Sequence, residues 1–126
     1  MMLRSCFAVL ALLLSSLAFA FDAPPLKAAH GVLVDPAGMT VYTYDKDAAG
    51  SGKSSCVDTC AKNWPPVKAP AGALPEPWSI VVRADGGPQL AHRGKPLYTF
   101  IKDKKAGDKA GDGVGKAWHV VEVPAR

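Results

Sequence analysis

Two patterns in this chain carry residues able to do chemistry. The first is Cys56-x-x-x-Cys60. Thiols four residues apart share a helix face or meet across a turn, so the pair can close a local disulfide. Reduced, the same two thiolates favour a soft ion such as Cu(I). His30, His92 or His119 would then supply an imidazole and Met39 a thioether. The second pattern is Tyr-x-aromatic-x-x-Asp, present twice, as Tyr42-Thr43-Tyr44-Asp45-Lys46-Asp47 and Tyr98-Thr99-Phe100-Ile101-Lys102-Asp103. Residues two apart on a strand face one side, so Tyr42 with Tyr44, and Tyr98 with Phe100, each make one aromatic face. Such a face either contacts a ligand or packs within its own fold. Asp47 and Asp103 are expected to accept hydrogen bonds from amides of the loop leaving each hairpin.

Other chemistry fits less well. Asp103, Asp108 and Asp112 lie among glycines, but the EF-hand spacing is not met and Lys104, Lys105 and Lys109 offset the acidic field. A solvated loop is the expectation there. No Gly-x-Ser-x-Gly, His-Glu-x-x-His or phosphate loop occurs, nor does the Cys-x-x-Cys of thioredoxin-like proteins. The expected protein is therefore not an enzyme and carries no cofactor.

The elements that must position these residues are mostly strands. Trp64 follows Tyr42 by 22 residues and Trp118 follows Tyr98 by 20, so the duplication extends beyond the motif. Each repeat is expected to be a hairpin that needs its neighbour to complete a core, with Tyr42 beside Trp64 and Tyr98 beside Trp118. Val32-Leu33-Val34 and Thr40-Val41-Tyr42-Thr43-Tyr44 flank a turn cluster and read as the first hairpin. Residues 56–63 read as one helical turn, and 65–77, with five prolines, as an extended connector. Trp78–Arg83, Gln89–His92, Pro96–Phe100 and Ala117–Val123 read as further strands, and 102–116 as a long loop. The class is mainly β, a small antiparallel single domain with one short helical turn near the cysteines. The first repeat spans about 30–70 and the second about 86–124.

Residues 1–20 have the layout of a secretory leader: Arg4, an apolar run from Phe7 to Leu14, then Ala18-Phe19-Ala20. Cleavage after Ala20 would release a domain of residues 21–126, with residues 22–28 as an arm ordered on contact or a mobile start. Cys6 leaves with the leader, and the two remaining cysteines in an oxidising compartment favour the disulfide. Fourteen basic residues then face eleven acidic ones, and no coherent basic face marks a nucleic-acid binder. No later segment is long and apolar enough to span a bilayer. A soluble periplasmic or secreted protein is expected, with an unidentified envelope ligand or protein as partner.

Gly31-Val32-Leu33-Val34-Asp35, the two motifs, Cys56-x-x-x-Cys60-Ala61-x-x-Trp64-Pro65-Pro66, and Gly94-Lys95-Pro96-Leu97-Tyr98 through Trp118 resemble a bacterial secreted-repeat family known for Tyr-x-(Phe/Trp/Tyr)-x-x-Asp. The resemblance covers about residues 30 to 124. Many members are lipoproteins, and this chain departs from them in lacking a usable lipobox. The resemblance implies an exported protein and names no activity. Two functions follow: a non-enzymatic binding or interaction module, or a copper-handling or thiol-redox protein working through Cys56 and Cys60.

Overall fold

The computed structural model describes residues 23–124. The expected leader and its cleavage site lie outside them. Seven short strands, one α-helix and one 3-10 turn follow in order: β1 (Lys27–Ala29), β2 (Val32–Val34), β3 (Tyr42–Tyr44), α1 (Thr59–Asn63), β4 (Trp78–Val82), β5 (Pro88–His92), β6 (Lys95–Pro96), the 3-10 turn (Val114–Lys116) and β7 (Trp118–Val120). All pairings are antiparallel: β1 with β2, β3 with β7, and β4–β5–β6 as a three-stranded sheet. The mainly β class with one short helix at the cysteines is as the sequence indicates.

Of the two readings of residues 22–28, the arm ordered on contact is the one seen, because Leu26 is buried in the core and Lys27–Ala29 pair with β2. Three details differ from the sequence reading. Of the expected strand Pro96–Phe100 only Pro96 lies in a strand, β6, while Tyr98 makes isolated bridges to Tyr42 and Pro66. The first hairpin is only partly formed. Val34 bridges Thr40 and the Val41 amide donates to the Leu33 carbonyl, but β3 then leaves β2 to pair with β7. The 102–116 segment is not simply a solvated loop, since Asp103 and Gly111 are buried.

Two cores lie side by side. One is aliphatic and contains Leu26, Leu33, Val41, Val67, Leu90 and Leu97 with Trp78. The other is aromatic and contains Tyr42, Trp64, Tyr98, Phe100 and Trp118 with Cys56. Val41 and Leu97 enter the first, while the tyrosines immediately after them enter the second. This is the side-to-side alternation of extended chain.

The repeats meet about a local twofold. Tyr42 donates its amide to the Tyr98 carbonyl at 2.7 Å, and Tyr98 returns the bond to Tyr42 at 3.0 Å. Each motif strand then runs beside the segment that follows the other repeat's tryptophan. Tyr42 opposes Val120 and Tyr44 opposes Trp118; Tyr98 opposes Pro66, and the Thr99 amide donates to the Pro65 carbonyl. The second copy makes no strand ladder for a covalent reason: Pro65 and Pro66 have no N–H to give.

Candidate functional site

The duplicated motif assembles one site, and it does so by exchange. Tyr42 donates its hydroxyl to Asp103 at 2.5 Å, and Tyr98 donates to Asp47 at 2.6 Å. Each tyrosine therefore meets the aspartate of the other repeat. The second carboxylate oxygen holds the loop, as expected from the sequence. Asp47 accepts from the Ser55 amide at 2.6 Å, and Asp103 from the Ala110 amide at 2.8 Å. Both carboxylates are buried and use both oxygens.

The aromatic rings form a continuous stack across the twofold. Trp64 and Trp118 lie parallel with centroids 3.8 Å apart. Tyr44 stacks on the outer face of Trp118 at 4.2 Å, and Phe100 on Trp64 at 4.0 Å. Tyr42 meets Trp64 edge-on at 5.4 Å, and Tyr98 meets Trp118 edge-on at 5.1 Å. The expected neighbours, tyrosine with the tryptophan of its own repeat, are thus in contact. The second aromatic of each motif crosses to the other repeat. Stacked and edge-on pairs each add about 0.5–1.5 kcal/mol beyond area burial.

The glycine four residues before each tyrosine follows the same rule. Gly38 and Gly94 both have positive φ, 85° and 78°, at turns where a side chain is strained. A Cβ on Gly94 would lie 2.6 Å from the Gly50 amide, and one on Gly38 would lie 3.1 Å from the Ala106 Cβ. Each turn packs on the loop three residues past the other repeat's aspartate. The exchange is repeated at backbone level, where Asp45 donates to the Ala117 carbonyl and Ile101 to the Asn63 carbonyl.

Arg83 is the residue that sequence reasoning missed. Its Nη1 bonds Ser54 at 2.8 Å and Gln89 at 2.9 Å, and its Nη2 bonds the Cys56 carbonyl at 2.6 Å. Nε and Nη2 form a fork on Asp85, both at 2.8 Å. All five guanidinium donors are engaged, the full capacity of the group. Because the Tyr98 proton goes to Asp47, Ser54 donates to Tyr98 and accepts from Arg83. A polar chain thus runs from Asp47 through Tyr98 and Ser54 to Arg83. Its only sequence signal was Arg83-x-Asp85 at a hairpin end, which resembles an ordinary turn.

Cys56 and Cys60 are bonded to each other, with Cα atoms 5.2 Å apart. The bridge spans the start of α1, a five-residue helix too short to persist alone. Trp64 ends that helix by donating its backbone N–H to the Cys60 carbonyl at 2.8 Å. The staple therefore fixes the approach to the ring stack. The three histidines lie apart: His30 at the β1–β2 turn, His92 against Trp78, and His119 paired with Asp45 at 2.8 Å. Among the described residues no group of three His, Cys, Asp or Glu side chains comes together to hold a metal ion, so the copper-handling alternative has no assembled donor set there.

Outside the stack, a groove of about 590 Å³ opens onto the aliphatic core. Leu33, Val121 and Val123 lie along it, together with Glu122 and with His92, Arg93 and Lys95 around the β5–β6 turn. Burial, and then the neighbouring Arg93, hold His92 below the usual imidazole range.

Residues 26–68 and 79–122 each match a family described as a secreted repeat of unknown function. No curated protein and no solved structure matches the chain. No helix among the described residues is long and apolar enough to cross a membrane.

Proposed function

This chain belongs to the family of secreted repeats of unknown function, and on that premise we propose that it is a non-enzymatic interaction module of the cell envelope. Export would follow cleavage after Ala20 and deliver a soluble domain to the periplasm or the exterior. The observation that carries the reading is the division of labour between core and surface. The motif tyrosines and aspartates bond to one another across the twofold. Among the described residues no buried side-chain polar atom lacks a partner. That arrangement suits a rigid scaffold that presents its surface to a partner. One of the concave features is the groove beside Arg93 and Lys95, whose apolar floor lies under a rim that also carries Glu122 but is net cationic, a combination that suits small amphiphilic anions.

Thermal denaturation of the purified exported protein with a series of fatty carboxylates tests this reading. A ligand that prefers the native state raises the melting temperature. The expected result is a rise with carboxylate amphiphiles that is lost in Arg93→Asn, a substitution that a positive φ of 52° tolerates. No rise with any member, or the same rise in the variant, contradicts the groove as the binding surface.

A further inference from the structure

The two turns that leave the motif strands are equivalent in backbone and opposite in chemistry. In the first repeat the turn reads Asp45-Lys46-Asp47-Ala48-Ala49, and in the second Ile101-Lys102-Asp103-Lys104-Lys105. Both begin on a residue whose amide bonds the carbonyl before the other repeat's tryptophan. Both turn their aspartate, Asp47 or Asp103, inward to a tyrosine. The acid that interrupts the second cluster in sequence is therefore absent from its surface. Outside remain Ile101, 51% exposed, and the exposed Lys102, Lys104 and Lys105. Asp108 is the acid beside them, its carboxylate accepting from the Lys104 and Lys105 amides at 2.9 and 3.1 Å. The Lys104 ammonium is held at the Ile101 carbonyl, 3.1 Å away. In the first repeat the Ile101 position is Asp45, paired with His119.

A lysine cluster alone is a solvated surface. An exposed isoleucine at the head of one is different, because it combines charge for headgroups with an apolar side chain for the boundary beneath them. A soluble polyanion engages the lysines and offers nothing to Ile101. We propose that the 101–105 turn is a peripheral contact for an anionic lipid surface. The inference names a partner for the exported interaction module and rests on that reading, but not on the groove.

Co-sedimentation of the full exported protein with vesicles of phosphatidylcholine, or of phosphatidylcholine mixed with phosphatidylglycerol, tests it. Binding is expected only to the anionic vesicles and should fall as salt screens the lysines. Ile101→Ser should weaken vesicle binding by roughly fivefold while leaving retention on immobilised heparin unchanged. The triple variant Ile101→Asp, Lys104→Ala, Lys105→Ala copies the turn of the first repeat, so it should keep the wild-type melting temperature and lose vesicle binding. Arg93→Asn, which alters the groove, should bind vesicles as wild type does. Absence of binding to anionic vesicles, undiminished binding by the folded triple variant, or equal vesicle binding by wild type and Ile101→Ser would each overturn the proposal.

Discussion

At the scale of residues, the phenolic protons of Tyr42 and Tyr98 sit where ionisation is costly. Burial, and then the bond to Asp47, pushes the Tyr98 phenol up to about 12. Burial and Asp103 push Tyr42 up as well. Folding therefore favours the neutral phenols over those of the unfolded chain, which ionise near pH ~10. The stability they contribute is complete below that pH and is lost as pH rises toward about 12. Melting temperature should fall across this alkaline window. Tyrosinate absorbance should show two of the three tyrosines ionising only as the chain unfolds; ionisation of all three ahead of unfolding would contradict the buried pairs. Gly111 is equally constrained. A Cβ there would lie 2.8 Å from the Trp64 ring and 2.9 Å from Tyr42, so Gly111→Ala should cost about 1–3 kcal/mol through overpacking. Equilibrium denaturation measures it, and a neutral result would mean the ring stack has room to move.

Among elements, α1 depends on its covalent staple and on Trp64 more than on helix propensity. A loop this short removes little chain entropy, so replacing both Cys56 and Cys60 by alanine should cost about 2 kcal/mol and keep the fold. Alanine suits the test because Cys56 is buried among aromatic rings, where a serine hydroxyl would need a partner. Denaturant titration with near-ultraviolet circular dichroism checks the result, and complete loss of the aromatic signal would show that the bridge is required for the stack. This staple was legible in the sequence, as were the tyrosine–tryptophan neighbours and the aspartate-to-amide bonds, because each is local or repeated. The pairing of β3 with β7 was not. Val32–Val34 and Thr40–Tyr44 flank a good turn, and a short-range hairpin is the natural reading of that pattern. Long-range pairing of Tyr42–Tyr44 with Trp118–Val120 and of Tyr42 with Tyr98 decided otherwise. The burial of Arg83 just past β4 was equally opaque, since its partners Ser54, Cys56 and Gln89 form no local motif with it.

For the whole molecule, the two repeats form one interlocked unit. Tyrosine hydroxyls, second aromatics, turn glycines and motif strands all reach across the twofold. The sequence conceals this exchange because the repeats are chemically alike, and a tyrosine finds the same aspartate in either copy. One geometric signal was present. Asp47 follows Tyr42 by five positions, and an extended strand rises about 3.3 Å per residue, which carries Asp47 away from the ring of its own tyrosine. The central claim is that the motif joins the repeats, and a double-mutant cycle measures that directly. Tyr42→Phe combined with Asp103→Asn should be non-additive, with a coupling of about 0.5–3 kcal/mol in unfolding free energy. Tyr42→Phe combined with Asp47→Asn, within one repeat, should add to within about 0.5 kcal/mol. Additivity of the first pair together with coupling of the second would contradict the exchange and return each motif to its own repeat.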